Sequence, residues 1–165
     1  MSSRKICAAE VLQALNAAHL TLCTAESCTG GLVGKLITDV PGASSVYMGG
    51  VISYTNEVKH RVLGVSRETL DLHTAVSAET AGEMARGARR RLGADIAVSV
   101  TGLAGPDGDG TGRPVGLVYI ALDRAAGCLV QELHLTGDRA AVREEAAQAM
   151  FALLLETLTD QEGRV

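Results

Sequence analysis

Aromatic side chains are almost missing from this 165-residue chain, which has no Trp, one Phe and three Tyr. Its core must therefore be built from Val, Leu, Ile, Ala and Met, and the base-stacking platforms used by single-strand nucleic-acid binders are scarce. Positive charge is not in excess either. A formal net charge of -4 argues against wrapping a phosphate backbone, while leaving room for a local basic patch that holds a small anion. No nucleic acid is expected as a partner. No apolar run approaches the ~18 residues of a spanning helix, and Met1-Ser-Ser-Arg-Lys5 leads into a helical pattern rather than an apolar signal core. A cytoplasmic location away from membranes is expected. Cys7, Cys23, Cys28 and Cys128 fall at irregular spacings without a CxxC pair, so they read as reduced thiols. His19, His60, His73 and His134 show neither HExxH nor paired metal spacing, and no metal or cofactor is expected.

The length suits a single domain over residues 1–165. Ala8, Val11, Leu12, Leu15 and Ala18 repeat with helical period within Lys5 to Ala18, and a short strand follows over Leu20 to Thr24. Helical spacing resumes at Leu32, Val33, Leu36 and Ile37, which sets Ser27 on a strand-to-helix turn. Pro41-Gly42 ends that helix. Val46 to Tyr54 reads as a strand in which Gly49-Gly50 bulges or lets another backbone come close. Short helices over Asn56 to Leu63 and Ser66 to Leu72 come next. Ser77 then caps a helix ending at Gly93, with Ala81, Met84, Ala85, Ala88 and Leu92 inward and Arg86, Arg89 and Arg90 outward. Ala94 to Val100 is a near-continuous apolar run, the pattern of a central strand. Val115 to Leu122 and Cys128 to Leu135 form a hairpin, so part of the sheet is antiparallel. A final helix, capped by Asp138, buries Val142, Ala146, Met150, Leu153, Leu154 and Leu158. The alternation predicts an α/β fold, a three-layer α/β/α sandwich with a mixed sheet of about five strands.

Ligands of open α/β sheets collect at the carboxyl ends of the strands. Three segments should meet there: Glu26 to Gly31, Tyr54 to Lys59 and Thr101 to Gly112. The first offers backbone N–H groups for an anion or an oxyanion, or is simply a tight turn capped by Ser27. Gly30-Gly-Leu-Val-Gly-Lys35 is a poor phosphate-binding loop, because its glycines are one residue too close and Leu36 stands where a magnesium-binding hydroxyl is needed. Asp107-Gly-Asp-Gly-Thr-Gly112 imitates half of a calcium loop, but Val118 occupies the place of the bidentate Glu, which leaves a flexible surface loop. Gly-x-Ser-x-Gly is absent, and nothing selects a His partner for Ser27. Lys59 is the natural base for it, provided burial or nearby positive charge lowers its pKa toward neutrality; otherwise it is a solvated helix residue.

Several stretches in fixed order closely resemble the C-terminal domain family of the competence-damage-inducible protein. They are Thr24-Ala-Glu-Ser-Cys-Thr-Gly-Gly31, Gly50-Val-Ile-Ser-Tyr-Thr-Asn-Glu-Val-Lys59 with Leu63-Gly-Val65, Thr101-Gly-Leu-Ala-Gly-Pro106 with Pro114-Val-Gly116, and Gly137-Asp-Arg-Ala-Ala-Val-Arg143. The resemblance runs from about Ala8 to Leu158. Stand-alone members are nicotinamide-nucleotide amidohydrolases, which implies hydrolysis of the carboxamide of nicotinamide mononucleotide to nicotinic acid mononucleotide and ammonia, a step of pyridine-nucleotide salvage. The resemblance implies Ser27 as nucleophile and Lys59 as general base, with Tyr54 and Thr101 hydrogen-bonding in the site. Thr29, Gly30, Gly31, Gly102, Ala104 and Gly105 become substrate-binding positions, and Arg139 and Arg143 candidates for the phosphate. The N–H groups near Thr29 to Gly31 could serve the oxyanion or the phosphate. One departure stands out: Asp107 to Arg113 replaces the family's usual Gly-Gly-Thr run ending in Lys. The larger family proteins carry a metal-dependent pyrophosphatase domain ahead of this one, and this chain is expected to begin directly at the C-terminal domain and to need no metal. A homo-oligomer is also implied. The competing reading is a non-catalytic nucleotide- or partner-binding module linked to competence and recombination.

Overall fold

The computed structural model describes residues 5–162. Its strands are β1 (Leu22–Glu26), β2 (Tyr47–Ile52), β3 (Ile96–Gly102), β4 (Leu117–Arg124) and β5 (Gly127–His134). The α-helices are α1 (Ala8–Ala18), α2 (Leu32–Thr38), α3 (Asn56–Leu63), α4 (Arg67–His73), α5 (Ala78–Leu92) and α6 (Arg139–Glu162). The strands form one mixed sheet in the order β2-β1-β3-β4-β5. β1 pairs in parallel with β2 and β3, whereas β3–β4 and β4–β5 are antiparallel. The sandwich predicted from the alternation of strands and helices is present.

Side chains alternate across the sheet and so build two cores. Leu22, Ile96, Val98, Val100 and Ile120 pack under α1, α2 and α6, with Phe151 and Met150 among the largest fully buried side chains there. Cys23, Ala25 and Ala97 face the other way, toward Leu63, Leu70, Met84 and Ala88. This second face is lined by small residues, and Ala81, Ala85 and Ala121 meet directly. The scarcity of aromatics is thus met by close approach of α5 to the sheet rather than by bulky filling.

Several details differ from the sequence-based expectation, among them the first strand, which lies over Leu22–Glu26 rather than Leu20 to Thr24, and the second, which ends at Ile52 rather than Tyr54. β3 runs on to Gly102, because Thr101 and Gly102 still pair with Tyr119 and Val118. Arg89 does not point outward: its Nε donates to Oδ2 of buried Asp123 at 2.7 Å, an ion pair joining α5 to β4. The expected irregularity at Gly49-Gly50 lies one step earlier, where the register slips past Met48. Gly50 is the close-approach position, since a Cβ there would stand 2.1 Å from Thr24 Oγ1.

The chain leaves β1 through α2 toward β2 on one side, and leaves β3 toward β4 on the other. The carboxyl ends of the adjacent strands β1 and β3 therefore diverge, which opens the crevice where such sheets bind ligands.

Candidate active site

A cleft of about 300 Å³ opens at that divergence. Ser27 and Cys28 line it from the end of β1, Tyr54 and Lys59 from the β2–α3 connection and α3, and Thr101 and Gly102 from β3. Ala104, Gly105, Asp107 and Asp109 line it from the following loop, and Arg139 from the start of α6. Four other residues expected at the site, Thr29, Gly30, Gly31 and Arg143, are not in its lining.

Lys59 Nζ donates to Ser27 Oγ at 2.8 Å and to Ser53 O at 2.7 Å, with Tyr54 O farther off at 3.5 Å. Local sequence explains the reach. Thr55 caps α3 by accepting from Val58 N, and Gly64 closes the helix in the left-handed conformation, so Lys59 lies on the inward face of a short, well-bounded helix. Its side chain is 1 % exposed. Burial lowers its pKa from 10.5 to about 8, against a smaller opposing influence from Cys28. No ion pair of Lys59 with a carboxylate occurs among the described residues. A buried amine without a counter-ion is one that gives up its proton readily.

Ser27 does not cap α2. The N-cap is Gly31 at φ 103°, a conformation that favours glycine, and having no side chain it makes no cap bond of its own. Cys28 is buried next to the serine, and desolvation pushes its thiol up to about 11. It is therefore a protonated, weakly nucleophilic group at neutral pH.

The turn after Ser27 is braced from both sides. Glu26, 3 % exposed, accepts from Thr29 Oγ1 at 2.7 Å, Val33 N at 2.9 Å and Gly34 N at 3.0 Å. Arg143 donates from Nε to Cys28 O at 3.1 Å and from Nη2 to Thr29 O at 2.8 Å. The Arg143 guanidinium thus grips backbone carbonyls, and the Thr29 hydroxyl serves Glu26. Gly30 N and Leu32 N are used within the turn, whereas no acceptor among the described residues takes the N–H of Thr29 or Gly31.

Arg139 sits at the rim, donating to Gly105 O at 2.7 Å and to the Tyr54 hydroxyl at 3.1 Å. Thr101, 1 % exposed, donates to Ala75 O at 2.7 Å and so fixes a wall that composition did not reveal. Ala75 and Val76 line the cleft just after Thr74, which has φ 67°. Arg113 ties the glycine-rich loop to the same segment through Thr74 Oγ1 at 2.8 Å and His73 O at 3.2 Å. The loop is exposed, as its composition predicts, yet Asp107 and Asp109 reach the cleft. Sequence reasoning passed over Glu26, Ala75 and Val76; only Glu26 carried a signal, an acid at a strand end shortly before a helix.

Comparison with known proteins agrees with this architecture. A CinA-like protein of Geobacter sulfurreducens is 52% identical over 128 residues, covering 78% of this chain and 31% of that protein. A CinA-like protein of Kosmotoga olearia is 50% identical over 143 residues, covering 87% and 34%. The chain thus spans about a third of the length of these curated relatives. The crystal structure of a competence-damaged protein (CinA) superfamily protein from Klebsiella pneumoniae superposes with a TM-score of 0.91 at 37% identity, covering 93% of this chain and 96% of that one. Its counterpart from Escherichia coli gives 0.90 at 33% identity, covering 93% and 89%. The CinA C-terminal domain family matches residues 4–158, and the chain belongs to that family.

Proposed function

We propose that the protein is an amidohydrolase acting on a pyridine nucleotide, with nicotinamide mononucleotide as substrate and nicotinic acid mononucleotide and ammonia as products. The observation that carries this reading is the buried Lys59 amine at 2.8 Å from Ser27 Oγ. With a pKa of about 8, about a tenth of Lys59 is neutral at pH 7, against well under a thousandth for an ordinary lysine. The neutral amine donates to the Ser53 carbonyl and offers its lone pair to the Ser27 hydroxyl.

In the forward step Ser27 Oγ bonds to the amide carbon as its proton passes to Lys59 Nζ. The tetrahedral adduct collapses when the C–N bond breaks and Lys59 returns that proton to the leaving nitrogen, which departs as ammonia. Water, deprotonated by Lys59, then cleaves the acyl-enzyme to the carboxylate and restores Ser27. The backbone N–H of Cys28, the residue after Ser27 that lines the cleft, is suited to the oxyanion. Arg139 and the Tyr54 hydroxyl at the rim are suited to the anionic end of the nucleotide.

The test is ammonia release from nicotinamide mononucleotide by the purified chain without added metal, set beside Ser27→Ala and Lys59→Ala proteins shown to be folded. Loss of turnover in both is expected. Equal activity in Ser27→Ala would overturn the mechanism, and binding without turnover in the unaltered chain would favour a non-catalytic module.

A further inference from the structure

We propose that Glu26 is a positioning residue that holds Ser27 in attacking geometry; the inference rests on Ser27 being the nucleophile. Glu26 and Ser27 are consecutive, at the point where β1 ends. Extended backbone sends neighbouring side chains to opposite faces of a sheet. Ser27 accordingly meets Lys59 of α3, while Glu26 reaches Thr29, Val33 and Gly34 of the turn and α2. The backbone between them is pinned to both neighbouring strands, by Ser27 N to Val100 O at 2.9 Å and by Ser53 N to Glu26 O at 2.8 Å. The carboxylate therefore works as a strut, with one end continuous with the serine's backbone and the other closing the first turn of the helix that follows it.

All three partners of Glu26 are donors, so both oxygens act as acceptors and the set suits a carboxylate better than an amide. Replacement by Gln turns an NH2 group toward a donor at a position only 3 % exposed, where bulk solvent does not absorb the mismatch. The strain falls on the five residues between β1 and α2, which include Ser27. Another consequence follows from the same contacts. The amides of Val33 and Gly34, which an incoming anion at a glycine-rich turn would use, are already occupied by the protein's own carboxylate. The anionic end of a substrate is left to the Arg139 rim.

The experiment compares the unaltered chain with Glu26→Gln, Thr29→Val and Ser27→Ala. It reads kcat and KM for ammonia release, the rate of sulfonylation by a serine-directed sulfonyl fluoride with the modified residue located by mass spectrometry, and Tm. A displacement of the nucleophile on the ångström scale costs up to about 100-fold. Glu26→Gln is therefore expected to lower both kcat and the labelling rate by about 10- to 100-fold, with KM within about threefold, well below its Tm. Thr29→Val, which removes one donor, lowers them by a smaller factor and covers the case in which Glu26→Gln fails to fold. A role confined to stability would lower Tm and leave the labelling rate of the folded protein unchanged, and that result, in either variant that folds, overturns the proposal. Absence of labelling at Ser27 in the unaltered chain, together with full turnover by Ser27→Ala, overturns the serine mechanism itself and with it this role. Labelling at Ser27 that is equally fast in both variants overturns the Glu26 proposal alone.

Discussion

Lys59 Nζ stands 2.8 Å from Ser27 Oγ and 2.7 Å from the Ser53 carbonyl, in a place where the lysine is 1 % exposed. One N–H is satisfied by the carbonyl, so the position facing the serine is where the amine's lone pair can act. Because burial holds its pKa at about 8, the base form grows as pH rises to that value. The expected outcome is kcat/KM that increases about tenfold per pH unit below 8 and levels off above it. A profile of ammonia release between about pH 6 and pH 10 checks this. A flat profile across that range would remove Lys59 as the base.

The same burial has a cost in stability. The folded lysine releases its proton near 8 and the unfolded one near 10.5. Between those values the unfolded state binds more protons, so stability rises with pH; at and below 8 the full penalty, on the order of 3 kcal/mol, is present. Lys59→Met removes the penalty while leaving the Ser53 carbonyl short of a donor. It is expected to abolish turnover and yet to stabilise the fold by about 1–2 kcal/mol at pH 7. That gain shrinks as pH climbs from 8 toward 10.5. Denaturant unfolding at neutral and alkaline pH measures both numbers, and a gain that grows with pH would contradict the sign.

Ser27 and Lys59 were legible as a pair through the ordered motifs that resemble the CinA C-terminal domain family, whereas local pattern alone left Ser27 a turn cap or a nucleophile and Lys59 a base or a solvated helix residue. Glycines with left-handed backbone follow the serine, and a capped helix closed by Gly64 carries the lysine. The count of strands followed from apolar runs and turn residues. What stayed hidden acts through groups that composition does not mark. Ala75 contributes a carbonyl to Thr101, and nothing about an alanine announces that. Arg139 and Arg143 lie one turn apart on α6 and look equivalent, but only the first reaches the cleft, while the second passes behind it to the Cys28 and Thr29 carbonyls. Glu26 differs again, since its partners lie three, seven and eight residues ahead and meet it only once α2 has formed.

Cys28 offers a control on the identity of the nucleophile. It lines the cleft beside Ser27, but desolvation keeps its thiol near 11. At pH 7.5 the thiolate fraction is below about 0.1 per cent. Cys28→Ser should retain kcat/KM within about fivefold, the swap being close in size, and iodoacetamide at neutral pH should inactivate the unaltered chain slowly if at all. A loss comparable to that of Ser27→Ala would transfer the nucleophilic role to the thiol.

The position of Lys59 depends in turn on how closely α3 can approach α5. A Cβ built on Gly87 of α5 would stand 1.8 Å from the Leu63 carbonyl oxygen and 2.7 Å from its carbon, both backbone atoms of the last residue of α3. Backbone cannot swing aside as a side chain can, so Gly87→Ala must push α3 outward, taking the lysine away from Ser27. The expected cost is about 3 kcal/mol in stability, with turnover falling at least tenfold in whatever fraction remains folded. Gly82, one and a half turns earlier on the same helix, supplies the contrast. The nearest atoms to a Cβ there belong to the Arg86 guanidinium, from 3.4 Å, the far end of a flexible side chain. Gly82→Ala should therefore keep its activity and gain up to about 1 kcal/mol from helix propensity. Denaturant midpoints and ammonia release on the two proteins test the pair together. If Gly87→Ala behaved like Gly82→Ala, the close packing of α3 on α5 would not be what sets the distance between Lys59 and Ser27.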